Sequence, residues 1–520
     1  MITHELARTL ANQSHELRKG ITVLIDRKGK IEIVFVGDSF QLPFNELQKS
    51  REGKYRLRGY RLIHTHIKNS SLSHPDLVTL INERLDLTAV LEVREDGNPG
   101  RIQIAHILPP NPQEQMWRVI DYNDIGRLDI TFEELIRDLE QEIERSYLEI
   151  GGKKEKEGVF LVGFSTRSKS EAEESLEELK SLAKSADKVV LDSVVQVRKQ
   201  IDPRYIVGKG KLEEIILRAR QVGSEKLIFD LELTPAQVKA ISEYTNLEVT
   251  DRTQLILEIF ARHAVTSEGK IQVRLAQLRY MLPRLVGRGI ELSQLAGGIG
   301  TRGPGEKKLE EERRRLRKQI EYLEKQVEEI GRRRKHTRKQ RSEAGIPTVT
   351  LIGYTNVGKS TIFNALTRSS VVVENKLFST LNPTTRKLVL PSNKEILLTD
   401  TVGFIRNLPK ELVKAFSATL EEMGDSSLLV QVADASDPHV GERIEAVEKI
   451  LEATGIDSIP RAIIFNKTDS TSQDTVERLR KAYNAPLISA LNKGSLIGLL
   501  DLLEEKLFGQ KIYDREQISA

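Results

Sequence analysis

The octapeptide Gly353-Tyr354-Thr355-Asn356-Val357-Gly358-Lys359-Ser360 leaves this chain few folds to choose from. It has the form G-x-x-x-x-G-K-[ST]. The β-branched run Thr348-Val349-Thr350-Leu351-Ile352 precedes it, and a helical pattern opens at Thr361–Leu366. Strand, glycine turn and helix in that order make a phosphate cradle. The glycines let backbone N–H groups turn inward, and the helix N-terminus adds partial positive charge. Lys359 can neutralise β- and γ-phosphates, and the Ser360 hydroxyl can ligate Mg²⁺.

Three later segments narrow the ligand. Glu395–Thr399 reads as a strand that runs into Asp400-Thr401-Val402-Gly403. An aspartate there can hold Mg²⁺ through water, and the glycine N–H can sense the γ-phosphate. Ala462-Ile463-Ile464-Phe465 reads as a buried strand ending in Asn466-Lys467-Thr468-Asp469. A buried, unmet Asp carboxylate can accept from N1–H and the 2-amino group of guanine. Adenine offers no such donor pair, so a site of this kind discriminates by ~10⁴ or more. Ser489-Ala490-Leu491 follows the strand Pro486–Ile488, where a backbone N–H can meet the guanine oxygen. Four elements at successive strand ends fit the ligand-binding edge of an open α/β sheet.

Between the P-loop and Asp400 lies Phe378-Ser379-Thr380-Leu381-Asn382-Pro383-Thr384-Thr385, the natural switch segment. Thr380 is the choice for the Mg²⁺-ligating hydroxyl, while Thr384 and Thr385 offer the same group. Lys359, Thr380 and Gly403 are the expected catalytic contacts. Where many GTPases carry a water-orienting Gln after D-x-x-G, this chain has Phe404. A phenyl ring cannot hydrogen-bond water, so slow intrinsic turnover is expected, raised by a partner or rescued by another residue.

A chain of 520 residues at roughly 100–200 per domain implies three or four units. Residues 1–150 read as a mixed α/β extension, with Ile21–Asp26 pairing with Lys30–Val36 and a helix over Phe132–Leu148. The charged linker 151–158 follows. From Val159 strands alternate with helices, which implies βαβ units and a parallel sheet over 159–265. Helical propensity then runs from Gln254 to Leu285. A glycine loop, Gly297–Gly305, leads into a helix whose Leu309, Leu316, Ile320, Leu323, Val327 and Ile330 form a heptad seam. That seam needs a partner, and the preceding helix can supply it as an antiparallel hairpin over 266–345. The guanine-nucleotide domain occupies 347–510. The fold class expected is therefore α/β, a C-terminal P-loop GTPase domain behind a small α/β domain, a helical pair and the extension.

Charge is informative by position. The chain carries only +4 overall, yet Arg302–Arg341 holds 16 Lys/Arg against 8 Asp/Glu. A local basic stripe of this kind points to a polyanion. The absence of Cys excludes disulfides and thiolate metal sites and fits a reducing cytoplasm. No window reaches the ~20 apolar residues of a membrane span, and the N-terminus lacks a signal-like apolar core. His64 and His66, alternating along a strand-like segment, read as surface residues rather than metal ligands.

The chain resembles the HflX family of translation-associated GTPases, in the wider Obg-like group. The resemblance rests on Asp202–Lys211, Leu233–Gln237, Asp251-Arg252-Thr253, Glu268–Val273, Leu278–Leu285, Gly297–Glu306, Phe378–Arg386 and Asp400–Phe404. It spans about Val159 to Gln510. The family also departs from Gln at the position of Phe404, while Asn382 stands where its switch string has Asp. Residues 1–150 lie outside the pattern, and any separate C-terminal domain is expected to be small or absent. The resemblance implies binding to the large ribosomal subunit, stimulated GTP hydrolysis there, and splitting of stalled or idle ribosomes. The helical pair and glycine loop would contact ribosomal RNA. It also implies a monomeric cytoplasmic protein that associates with ribosomes and, as a further place, the membrane surface. An assembly GTPase and a signalling or scaffold GTPase are the alternatives.

Overall fold

The structure, a computed structural model, describes residues 2–37, 56–67, 71–111, 113, 115–128, 131–149, 156–293, 304–343, 345–367, 377–378, 383–406 and 423–509. The chain forms two compact units. One comprises Met1–Ala183 with Asp187–Asp251, the other Lys184–Ala186 with Arg252–Ala520.

The first unit holds two sheets. Helix α1 (His4–Leu17) starts at an N-cap Thr3 whose hydroxyl accepts from Leu6 N–H, satisfying one of the helix's orphan donors. Strands β1 (Ile21–Asp26), β2 (Ile31–Val36) and β3 (Tyr60–His66) follow, then α2 (His74–Asn82), β4 (Leu87–Val93), β5 (Pro99–Ile107), β6 (Trp117–Tyr122) and α3 (Phe132–Glu149). The sheet order is β2-β1-β3-β4-β5-β6, with β3 and β4 parallel and the other pairs antiparallel. A parallel pair needs a crossover, and α2 is that crossover. Ile136, Leu139 and Ile143 of α3 join Leu24, Leu62, Ile63, Leu91 and Ile104 in one core. That spacing puts the three side chains on one face of the helix.

The second sheet of this unit is β7 (Gly158–Ser165), β8 (Val189–Val197), β9 (Lys226–Phe229) and β10 (Glu248–Asp251), all parallel, in the order β10-β9-β7-β8. Helices α4 (Lys169–Ser185), α5 (Lys209–Gln221) and α6 (Pro235–Thr245) alternate with these strands. The α6 start is a capping box, Thr234 with Gln237, followed by Pro235 at the first helical position.

In the second unit α7 (Arg252–His263) and α8 (Ser267–Ser293) replace the single helical stretch expected from Gln254. Thr266 interrupts it, its hydroxyl accepting from Gly269 N–H and so restarting the helix. Helix α9 (Pro304–Glu343) packs beside α8. Leu316, Ile320, Leu323 and Val327 meet Leu275, Leu278 and Leu282, and Arg279 pairs with Glu324 at 2.6 Å. Arg314, Arg315, Arg317 and Lys318 stay exposed. Loop residues 297–303 lie outside the described residues.

The remaining sheet has the order β12-β13-β11-β14-β15: β11 (Thr348–Gly353), β12 (Thr384–Val389), β13 (Glu395–Asp400), β14 (Leu428–Asp434) and β15 (Arg461–Asn466). Only the β12–β13 pair is antiparallel. Helices α10 (Lys359–Thr367), α11 (Val440–Thr454), α12 (Gln473–Tyr483) and α13 (Ile497–Phe508) accompany it. Val349, Leu351, Leu398, Val430 and Ile464 form its dry core. Among the described residues no helix is long and apolar enough to cross a membrane.

Candidate functional site

The carboxyl ends of β11, β13 and β15 bring the sequence-marked residues together, because parallel strands deliver their C-termini to one edge. Residues 354–358 turn from β11 into α10. Gly358 has φ +93°, and a Cβ there would overlap Asn466 Nδ2, so the turn requires glycine. Asn466 Nδ2 donates to Val357 O at 2.9 Å, stitching the end of β15 to the P-loop.

Lys359 is buried, and its Nζ donates to the carbonyl oxygens of Gly353 (3.1 Å) and Tyr354 (2.7 Å). An ammonium has three donors, so one remains for a phosphate oxygen. Burial pushes this lysine down to about 8 against the opposing pull of Asp400. Gly403 closes on the same ammonium: a Cβ there would lie 3.0 Å from Lys359 Nζ and 2.7 Å from Thr355 Cα.

Ser360 Oγ donates to Asp400 Oδ2 at 2.6 Å, and Asp400 is fully buried at the end of β13. A hydroxyl and a carboxylate in contact beside a phosphate cradle are hard oxygen donors of the kind Mg²⁺ takes, so the residues present fit that ion. Thr401 Oγ1 is committed to Leu351 O at 2.6 Å, which leaves only its backbone for a nucleotide. Asn356 is exposed in a left-handed conformation, and Val402 and Thr361 are half-buried.

The purine end departs from expectation in one respect. Asp469 is exposed, not buried, and its Oδ1 accepts from Ser489 Oγ at 2.6 Å. That bond holds the carboxyl below its usual range. Ala490 N–H donates to Asn466 Oδ1 at 2.9 Å, while Leu491 stands 80% exposed. Lys467 takes a left-handed φ of 64° and reaches Asp434 at 2.7 Å, while Thr468 N–H donates to Ile488 O at 3.3 Å. The two loops are thus bonded to each other and, through Asn466, to the P-loop.

Ser379, Thr380, Leu381 and Asn382 lie outside the described residues. Of the rival hydroxyls, Thr385 Oγ1 is shared with Thr399 Oγ1 at 3.0 Å across β12–β13. Phe378, expected among the nucleotide contacts, is buried with its ring 4.6 Å from that of Phe260 on α7. Its side chain is spent on packing, and only its backbone remains for a ligand.

Phe404 is 4% exposed and packs with Ile352, Met423, Leu429, Val447 and Leu451. Its backbone continues the β11 edge, Phe404 N–H donating to Gly353 O and Thr355 N–H to Phe404 O. The ring therefore points into a hydrophobic cluster.

Arg406, with its ties to Tyr354 and Arg252, escaped the sequence reading. Tyr354 OH accepts from Arg406 N–H at 2.6 Å, and Arg252 Nη2 donates to Arg406 O at 3.3 Å. Together with the Phe260–Phe378 contact, they give α7 a hold on both segments that flank the phosphate end. Arg252 stood within a quoted motif, Asp251-Arg252-Thr253, but nothing local to it marks the partner.

Known proteins share long stretches of this sequence. Residues 173–261 match the family model "GTP-binding GTPase N-terminal", 263–341 "GTP-binding GTPase Middle Region" and 348–467 "50S ribosome-binding GTPase". The chain is 46% identical over 355 residues to GTPase HflX of Caldanaerobacter subterraneus subsp. tengcongensis, covering 68% of this chain and 82% of that one. It is 42% identical over 340 residues to GTPase HflX of Escherichia coli K12, covering 65% and 80%. A crystal structure of a GTP-binding protein from Sulfolobus solfataricus in complex with GDP is 26% identical, covering 67% of this chain and 99% of that one, at a TM-score of 0.36.

Proposed function

Since this chain belongs to the HflX family of GTPases, we propose that it works as a GTP-driven switch on the large ribosomal subunit, splitting stalled or idle ribosomes. It hydrolyses GTP, and its own residues divide that work. Lys359 and the N–H groups at the start of α10 hold the β- and γ-phosphates. Gly403 N–H meets the γ-phosphate. Asp469 selects guanine, with a backbone N–H from Ser489–Leu491 on the guanine oxygen. Ser360, Thr380 and Asp400 (the last through water) would hold Mg²⁺, which when bound neutralises charge shared by the β- and γ-phosphates.

The observation that carries the reading is the convergence of Lys359, Ser360, Asp400 and Gly403 at one sheet edge, with Phe404 turned into the core. Such a site binds and orients a triphosphate but leaves the attacking water without a side chain from the usual position. Low intrinsic turnover and dependence on a partner follow. The exposed Arg314, Arg315, Arg317 and Lys318 on α9 supply a surface for ribosomal RNA phosphates. The relatives favour neither an assembly role nor a scaffold role.

A pelleting assay tests the partner. The full chain should sediment with purified large subunits in the presence of a non-hydrolysable GTP analogue and stay in the supernatant with GDP. Equal pelleting in both states would refute a GTP-controlled association.

A further inference from the structure

We propose that His64 and His66 of the N-terminal sheet and Asp76 of α2 form a binding site for a divalent transition-metal ion of the zinc type. The site is remote in sequence from the nucleotide motifs and lies within residues 1–150, to which the resemblance assigns no role.

The topology makes the cluster. Side chains two apart on a strand share a face, so His64 and His66 project together from the C-terminal end of β3. Thr65 between them points the other way, accepting from Ile21 N–H and donating to Ser14 Oγ of α1. The crossover after β3 then returns α2 over the histidine face. Asp76 sits in its first turn, locked by a capping box in which Ser73 N–H and Oγ both donate to Asp76 Oδ2, at 2.8 and 2.6 Å. Leu72 N–H is fixed in turn by Gln103 Oε1 at 2.9 Å. Gln103 stands in register with Val90, and Val90 with His64, so all belong to one row across the sheet.

The outcome is a preformed donor set. One nitrogen from each imidazole and one carboxylate oxygen all lie within 4.8 Å of one another. His64 is 2% exposed and Asp76 5% exposed, while His66 is half-buried and opens to the surface. Metal bonds of 2.0–2.2 Å in tetrahedral geometry place neighbouring ligand atoms about 3.3 Å apart, so small side-chain rotations close the cluster. Two imidazoles with one carboxylate suit zinc rather than Mg²⁺. Three protein ligands leave a fourth position for water. The Ser73 bonds orient the carboxylate, as outer contacts do around ligands generally. The reading of His64 as a surface residue is corrected by its burial, and the fold supplies a carboxylate ten residues after the half-buried His66.

The alternative occupant of this geometry is none at all, a plain imidazole–carboxylate pair, with His64 Nε2 at 3.5 Å from Asp76 Oδ2. Titration of the full-length, nucleotide-free, metal-stripped chain with Zn²⁺ separates the two. One ion should bind per chain and resist a large excess of Mg²⁺, and Co²⁺ should give intense visible bands of low coordination number. His66→Ala alters only a half-exposed side chain, and Asp76→Asn keeps the cap's shape. Each should weaken Zn²⁺ at least about 100-fold, with unchanged far-UV circular dichroism. Failure of the wild-type chain to take up stoichiometric zinc, or uptake undiminished in both variants, would overturn the assignment.

Discussion

Ser360 Oγ donates a 2.6 Å hydrogen bond to Asp400 Oδ2, joining the start of α10 to the end of β13 across the phosphate end of the site. The two side chains are 40 residues apart in sequence and meet because β11 and β13 are neighbours in register, Leu351 opposite Asp400. Ser360→Ala removes both this bond and the oxygen proposed to hold Mg²⁺. A hydrogen bond to a charged group contributes about 1.5–3 kcal/mol, so GTP affinity in Mg²⁺ should fall roughly 10–150-fold. Titration with a fluorescent GTP analogue reads this, and the difference from wild type should shrink in EDTA.

Lys359 gives the site a pH dependence. With its ammonium pushed down from 10.5 to about 8 by burial, the empty site loses a proton as pH rises past 8. A bound triphosphate keeps the lysine charged. Nucleotide affinity should therefore be level below pH 8 and fall above it, approaching tenfold per unit for one linked proton. Fold stability runs the other way. The lowered value means the buried charge is a cost below 8, relieved as pH rises from about 8 toward 10.5. Titration calorimetry in two buffers of different ionisation enthalpy should show proton uptake on GTP binding at pH 9 and none at pH 7.

Phe404→Gln tests where that side chain points. A glutamine installed by mutation would enter the cluster of Ile352, Leu429 and Val447 rather than meet water. Loss of a buried phenyl costs about 3–5 kcal/mol when truncated, and an unpaired amide in the same space costs at least as much. Thermal melts should show marked destabilisation with no gain in intrinsic turnover. A faster, fully stable variant would mean the ring faces the phosphate.

Asn466 couples base and phosphate loops through Nδ2 to Val357 O and Oδ1 from Ala490 N–H. Asn466→Ala strands a buried carbonyl and a buried N–H, at about 1–3 kcal/mol each. Both GTP and GDP affinity should fall together. Asp469→Asn, by contrast, changes which base is bound. An amide offers one acceptor and one donor, matching N1–H and the C2 oxygen of xanthine, so XTP should displace GTP as the preferred nucleotide in competition assays.

Much of this fold is legible in the sequence. The β/α alternation from Val159 and the four motif-bearing strand ends declare a parallel sheet, because apolar period and glycine position are local signals. Residues 316–327 carried their seam in the heptad spacing. What escaped depends on contacts distant in sequence. Phe378 stands in the switch segment between the P-loop and Asp400, and nothing in that segment marks the packing of its ring on Phe260, 118 positions earlier. Asp469 was expected buried from the chemistry of guanine selection, but the fold leaves it exposed. Two histidines alternating along a strand carry no mark of which face they line. Only the α2 crossover, bringing Asp76 back, turns them into a cluster.

The measurement closest to the central claim is GTP turnover by the full chain, alone and with purified large ribosomal subunits, alongside ATP as a control. The account predicts slow hydrolysis of GTP alone, strong stimulation by the subunits, loss of both in Lys359→Ala, and no comparable use of ATP. Equal rates with and without subunits, or ATP consumed as readily as GTP, would contradict it.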